Sequence, residues 1–96
     1  MRAIRFESDA EAQLQILKVD YARFDDLMVQ FVENILCTHP EMFPAISGTL
    51  LRVCFTNEFG DITFPDFPSL ALYFHFDDQY VYIVAIDRNE QSPYGL

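Results

Sequence analysis

The stretch from Ser69 to Asp87 constrains this chain more than any other. It reads SLALYFHF, then DDQ, then YVYIVAID. Two apolar runs rich in β-formers, each of about 7 to 8 residues and joined by a short acidic turn, predict a hairpin. Side chains alternate across a strand, so Leu70, Leu72, Phe74 and Phe76 point one way and Ala71, Tyr73 and His75 the other. In the second run Val81, Ile83 and Ala85 oppose Tyr80, Tyr82, Val84 and Ile86. Both faces are largely apolar, which places the hairpin inside a sheet. The rest of the chain must then supply helices to cover one face and another strand to protect an edge.

A chain of 96 residues has room for one core, so a single domain over residues 1–96 is expected. With 51% hydrophobic and 16% aromatic residues it is rich enough to fold alone. Six basic residues stand against 15 acidic ones, for a net charge of −9. That balance argues against direct nucleic-acid binding, because phosphate contacts rest largely on Lys and Arg. A basic partner suits it better, with a surface made soluble by acidic residues as the plainer alternative. Cys37 and Cys54 fit no metal-ligand spacing and are read as buried free thiols in a reducing compartment. The N-terminal residues lack the apolar run of a signal peptide, and no stretch approaches a membrane span. A soluble, cytoplasmic protein without metal or cofactor is the expectation.

Along the chain, Arg2 to Glu7 alternates Ala3 and Arg5 with Ile4 and Phe6, permitting a short edge strand. Ser8-Asp9-Ala10-Glu11 has the form of a capping box, so a helix should start at Asp9. Its apolar stripe is Ala10, Leu14, Leu17 and Tyr21. The break near Val19 to Arg23 carries no Gly or Pro, which leaves one continuous helix as a competing reading. Phe24, Leu27, Met28, Phe31, Val32, Ile35 and Leu36 form the strongest helical periodicity, predicting the main core helix. That helix should end before Pro40, with His39 near its C-terminus. Leu50 to Thr56 then reads as a strand, with Leu51, Val53 and Phe55 on one face and Leu50, Arg52, Cys54 and Thr56 on the other.

Residues 57–68, NEFGDITFPDFP, are the least regular part and form an expected loop of about 12 residues. Phe59, Phe64 and Phe67 either lid the core or form an apolar patch for a partner. Asp61, Asp77 and Asp78 are explained by turn chemistry.

The predicted order is therefore strand, helix, helix, strand, strand, strand. With the hairpin in place, that order resembles the RelE/ParE superfamily of bacterial toxin–antitoxin toxins. HPEMFPAISGTLLRV, residues 39 to 53, is similar to the family's proline-rich link, Gly and strand with a basic residue. ALYFHFDDQYVYIVAI, residues 71 to 86, is similar to its paired strands, with Tyr73 at the aromatic position. Arg88 to Tyr94 falls where the family has a basic segment followed by an aromatic residue. The resemblance implies an α+β fold of two N-terminal helices packed on a small, mainly antiparallel sheet of about four strands. It also implies a partner, either a cognate antitoxin wrapping helices and sheet or another protein.

Two activities follow from the resemblance: ribosome-dependent mRNA cleavage, or inhibition of DNA gyrase. In the nuclease branch cationic side chains orient RNA and stabilise charge developing at phosphorus. Carried across position by position, Arg52 matches one basic strand site and Tyr94 the C-terminal aromatic. Cys54, Ser69 and Asn89 stand where relatives have cations, with His75 available as a substitute. These departures lead to the expectation of a divergent toxin-family protein that binds a protein target and lacks efficient mRNA cleavage. The alternative is a non-catalytic acidic module that binds a basic partner through its surface and the 57–68 loop. No Ser/His/Asp set, nucleophile elbow or phosphate loop supports an ordinary hydrolase.

Overall fold

A computed structural model describes residues 2–20, 23–56 and 69–88. Its elements are β1 (Ala3–Phe6), α1 (Ser8–Asp20), α2 (Phe24–Phe31), β2 (Arg52–Phe55), β3 (Leu70–Phe76) and β4 (Tyr80–Arg88). The sheet order is β1-β4-β3-β2, with β1 parallel to β4 and the other two pairs antiparallel. The described residues thus form an α+β fold with two α-helices and a four-stranded mixed sheet. The two N-terminal helices that the resemblance implied are corrected to helices that follow a first strand, which the alternation of Arg2 to Glu7 allows.

Helix α1 begins at Ser8, within one residue of the expected start, and buries Ala10, Leu14 and Leu17. The two helices are separate. Arg23 takes the left-handed conformation, φ 58° and ψ 23°, immediately before α2. A non-glycine residue adopts that conformation rarely, and because Arg23 does so here the break carries no Gly to mark it in the sequence. Phe24, Met28, Phe31, Val32 and Leu36 are all buried, which is the predicted core stripe. The α-helical geometry nevertheless stops at Phe31 and continues as a π-helical turn, Val32–Leu36. There the Cys37 N–H donates to the Val32 carbonyl at 2.9 Å, five residues back. The expected single helix through Leu36 is corrected accordingly. Periodicity reads the buried stripe but not one widened turn within it.

The hairpin forms as predicted, with one correction. Tyr73 pairs with Ala85 but Phe74 pairs with Ile83, so Val84 is an extra residue on β4. One extra residue reverses the alternation beyond it. Ile86 therefore joins Val81 and Ile83 in the core at 1% exposure, instead of sharing a face with Tyr80 and Tyr82. Leu70, Leu72 and Phe74 lie on the same side, beneath the helices. Strand β2 is shorter than expected because Leu50 stands outside it, 91% exposed. Cys54 and Thr56 face the core, and the Thr56 hydroxyl accepts the Leu70 N–H at 2.8 Å. The outer edge of β2 is closed by the preceding loop. Ala45 bridges to Arg52, and the Val53 N–H reaches the Pro44 carbonyl at 3.1 Å. The segment carrying Phe59, Phe64 and Phe67 lies outside the described residues, as does Tyr94.

No helix among the described residues is long and apolar enough to cross a membrane.

Candidate binding face

The helices cover one side of the sheet. On the other side Arg5, Tyr82 and His75 form a row across β1, β4 and β3, since Arg5 pairs with Tyr82 and Tyr82 with His75. Tyr80 stands two residues before Tyr82 on the same face, and Tyr73 lies opposite Val53 of β2. All of these except exposed Arg5 are half-buried. The result is an aromatic surface with a cation at one margin.

Its rings touch. His75 and Tyr82 stack with centroids 4.7 Å apart and 19° between planes, and Tyr80 and Tyr82 lie 5.8 Å apart. The Arg5 guanidinium sits over the Tyr80 ring at 4.6 Å and donates to its hydroxyl at 3.4 Å. At the end of the row the turn residue Asp77 ties the face together. One carboxylate oxygen accepts the N–H groups of Gln79 and Tyr80, both at 2.8 Å, and the other accepts the Tyr82 hydroxyl at 3.0 Å. These backbone N–H bonds hold Asp77 below the usual carboxylate range. The hydrogen bond to that carboxylate pushes the Tyr82 phenol up, so it remains a neutral donor. The hydrogen bond that Arg5 donates to the Tyr80 hydroxyl likewise raises the already strongly basic guanidinium.

Chemically this face offers π surfaces beside carboxylates, the pairing that attracts Lys and Arg side chains. Among the described residues no group of three His, Cys, Asp or Glu is placed to hold a metal ion.

Arg52 and His75 are not brought together. Arg52 pairs with Phe74 and points to the helix side, where its guanidinium donates to the carbonyls of Phe43 at 2.5 Å and Glu41 at 3.3 Å. It also lies 5.6 Å from the Phe76 ring centroid. His75, one residue from Phe74, points to the opposite face. Cys54 is buried on the helix side. Sequence reading placed Tyr73 with His75 and Tyr80 with Tyr82 but missed Arg5 and Asp77 as members of the face. The alternation of β1 gave the direction of Arg5. What it lacked was the parallel docking of β1 on β4.

Fold and face together define a small α+β protein with one helix-covered and one aromatic sheet surface. Comparison of the chain with protein-family models, curated proteins and solved structures gives no match.

Proposed function

We propose that this chain is a divergent RelE/ParE-like toxin-family protein of a toxin–antitoxin module that acts by binding a protein, without efficient mRNA cleavage. The observation that carries the reading is the separation of Arg52 from His75. A phosphoryl-transfer site needs its cations converging on one phosphate, whereas these two lie on opposite sides of the sheet. The Arg52 guanidinium is already engaged by the carbonyls of Glu41 and Phe43. The order strand, helix, helix, strand, strand, strand supports the kinship. The half-buried tyrosines supply a surface of the composition that protein interfaces favour.

The test is induction of the chain alone in a bacterial culture, paired with cell-free translation scored for cuts in ribosome-bound mRNA. Expected are growth arrest, relieved by the double substitution Tyr80→Ala and Tyr82→Ala, and intact mRNA. Cleavage that disappears in Arg52→Ala would overturn the reading.

A second reading has its own support. With a net charge of −9, and Glu7, Asp77 and Asp87 bordering the tyrosines, the same face suits a basic partner of a non-catalytic interaction module. Absence of growth arrest from folded protein selects this reading over the first.

A further inference from the structure

Strand β1 is an edge of the sheet, and its outer side is unpaired among the described residues. The Ala3 N–H donates to the Gln79 carbonyl at 2.8 Å and the Glu7 N–H to the Ile83 carbonyl at 2.9 Å. Backbone groups alternate in direction along a strand, so Ile4 and Phe6 present their N–H and C=O groups outward. The contrast with β2 is plain, because that edge is closed by residues 44–46. Beside the β1 edge lies a groove of about 520 Å³ lined by Arg2, Ile4, Phe6, Val29 and Glu33. Its walls are mostly apolar, and Glu33 comes from the π-helical turn, a geometry that recurs at functional sites.

The charges choose among occupants. Arg2 donates to the Asp77 carbonyl at 2.6 Å and lies 5.1 Å from the Phe76 ring centroid, while Arg5 is held by Tyr80. Glu33 in the groove has no ion-pair or side-chain hydrogen-bond partner among the described residues. A second copy would bring the same net charge of −9 to this edge. We propose that the β1 edge binds an extended segment of a basic partner protein as a fifth strand, seating an apolar side chain in the groove beside Val29 and directing a Lys or Arg on the same side of that strand to Glu33. Main-chain bonds to Ile4 and Phe6 supply affinity, and the groove with its Glu33 carboxylate supplies selection. This site is on the sheet edge and is separate from the tyrosine face.

The experiment adds a synthetic heptapeptide, with isoleucine and lysine two residues apart on one face of the strand and threonine between them, to isotopically labelled protein and follows amide hydrogen exchange by NMR. The same measurement is made with the glutamate–isoleucine counterpart and with the protein alone at several concentrations. Expected is slowed exchange at the Ile4 and Phe6 amides with the basic peptide only. Binding should weaken by about tenfold in Val29→Asp, which fouls the groove, and to a smaller degree in Glu33→Gln, which leaves the fold intact. Failure of the basic peptide to bind overturns the proposal, as does equal binding of the acidic one. Perturbation confined to Tyr80, Tyr82 and His75 assigns the contact to the tyrosine face instead. Protection of Ile4 and Phe6 that rises with protein concentration alone, together with a dimer in sedimentation, assigns the edge to a second copy.

Discussion

Tyr82 stacks on His75 with ring centroids 4.7 Å apart while its hydroxyl donates to Asp77 at 3.0 Å, so one side chain joins the aromatic row to the hairpin turn. The turn and the face are therefore one unit. Disturbing the carboxylate should be felt in the rings, and the first prediction rests on that coupling.

Asp77 is held below the usual carboxylate range by the N–H groups of Gln79 and Tyr80. A depressed folded-state value gives stability that is fully present above the unfolded value, about 4, and is lost as pH falls through the lower folded value. Thermal melts from neutral to acid pH should show wild type more stable than Asp77→Ala at neutral pH, the gap closing below about pH 4. A gap that is constant with pH refutes the assignment to this carboxylate.

Phe74 is fully buried and meets Phe43 edge-on, with centroids 5.7 Å apart and planes at 82°. Truncation to Ala removes a large core ring and should cost about 3–5 kcal/mol. Against a total of about 5–15 kcal/mol for a domain, Phe74→Ala should be near the limit of folding. Urea denaturation followed by circular dichroism gives the number, and a loss below about 1 kcal/mol contradicts the packing described.

Arg52 fastens residues 40–44 to β2 through the carbonyls of Glu41 and Phe43. Removing the charged donor to the partly buried Phe43 carbonyl and the exposed Glu41 carbonyl in Arg52→Ala should cost about 1–3 kcal/mol and speed hydrogen exchange around Pro44 and Val53. Arg52→Lys retains a charge but not the forked geometry, so it should recover part of the loss. Unchanged stability with altered growth phenotype would point to a functional guanidinium instead.

Cys37 and Cys54 are outside any disulfide, at 1% exposure each. Burial pushes the Cys37 thiol up, and nearby Glu33 adds to the effect, so the nucleophilic thiolate is scarce. Iodoacetamide at about pH 8 should leave both unlabelled in the native protein and label both in urea. Mass spectrometry that finds rapid native labelling at Cys37 rules out its place in the core.

The parts of this fold that depend on local pattern were legible. The alternation of Leu70, Leu72 and Phe74 gave the buried face of β3, and the spacing from Phe24 to Leu36 gave the helix stripe. What stayed hidden involves single-residue events with no composition of their own. The extra residue at Val84 turned Ile86 inward, the widened turn began at Val32, and Arg23 broke the helices without a glycine. The site was half legible for the same reason. Neighbours on one strand, such as Tyr80 and Tyr82, follow from alternation, but contact between Arg5 and Tyr80 requires the pairing of distant strands.

The parallel docking of β1 on β4 also orders events in time. Arg2 and the turn at Asp77 that it contacts are 75 residues apart in the chain. During synthesis α1 and α2 can coil and collapse on each other, yet β1 waits without a partner until the hairpin has been made. For that interval Ile4 and Phe6 are an uncovered apolar pair on a nascent chain, a natural target for a chaperone. The brevity of β1 and the charges of Arg2, Arg5 and Glu7 around it lessen the hazard of premature pairing with a neighbouring nascent chain.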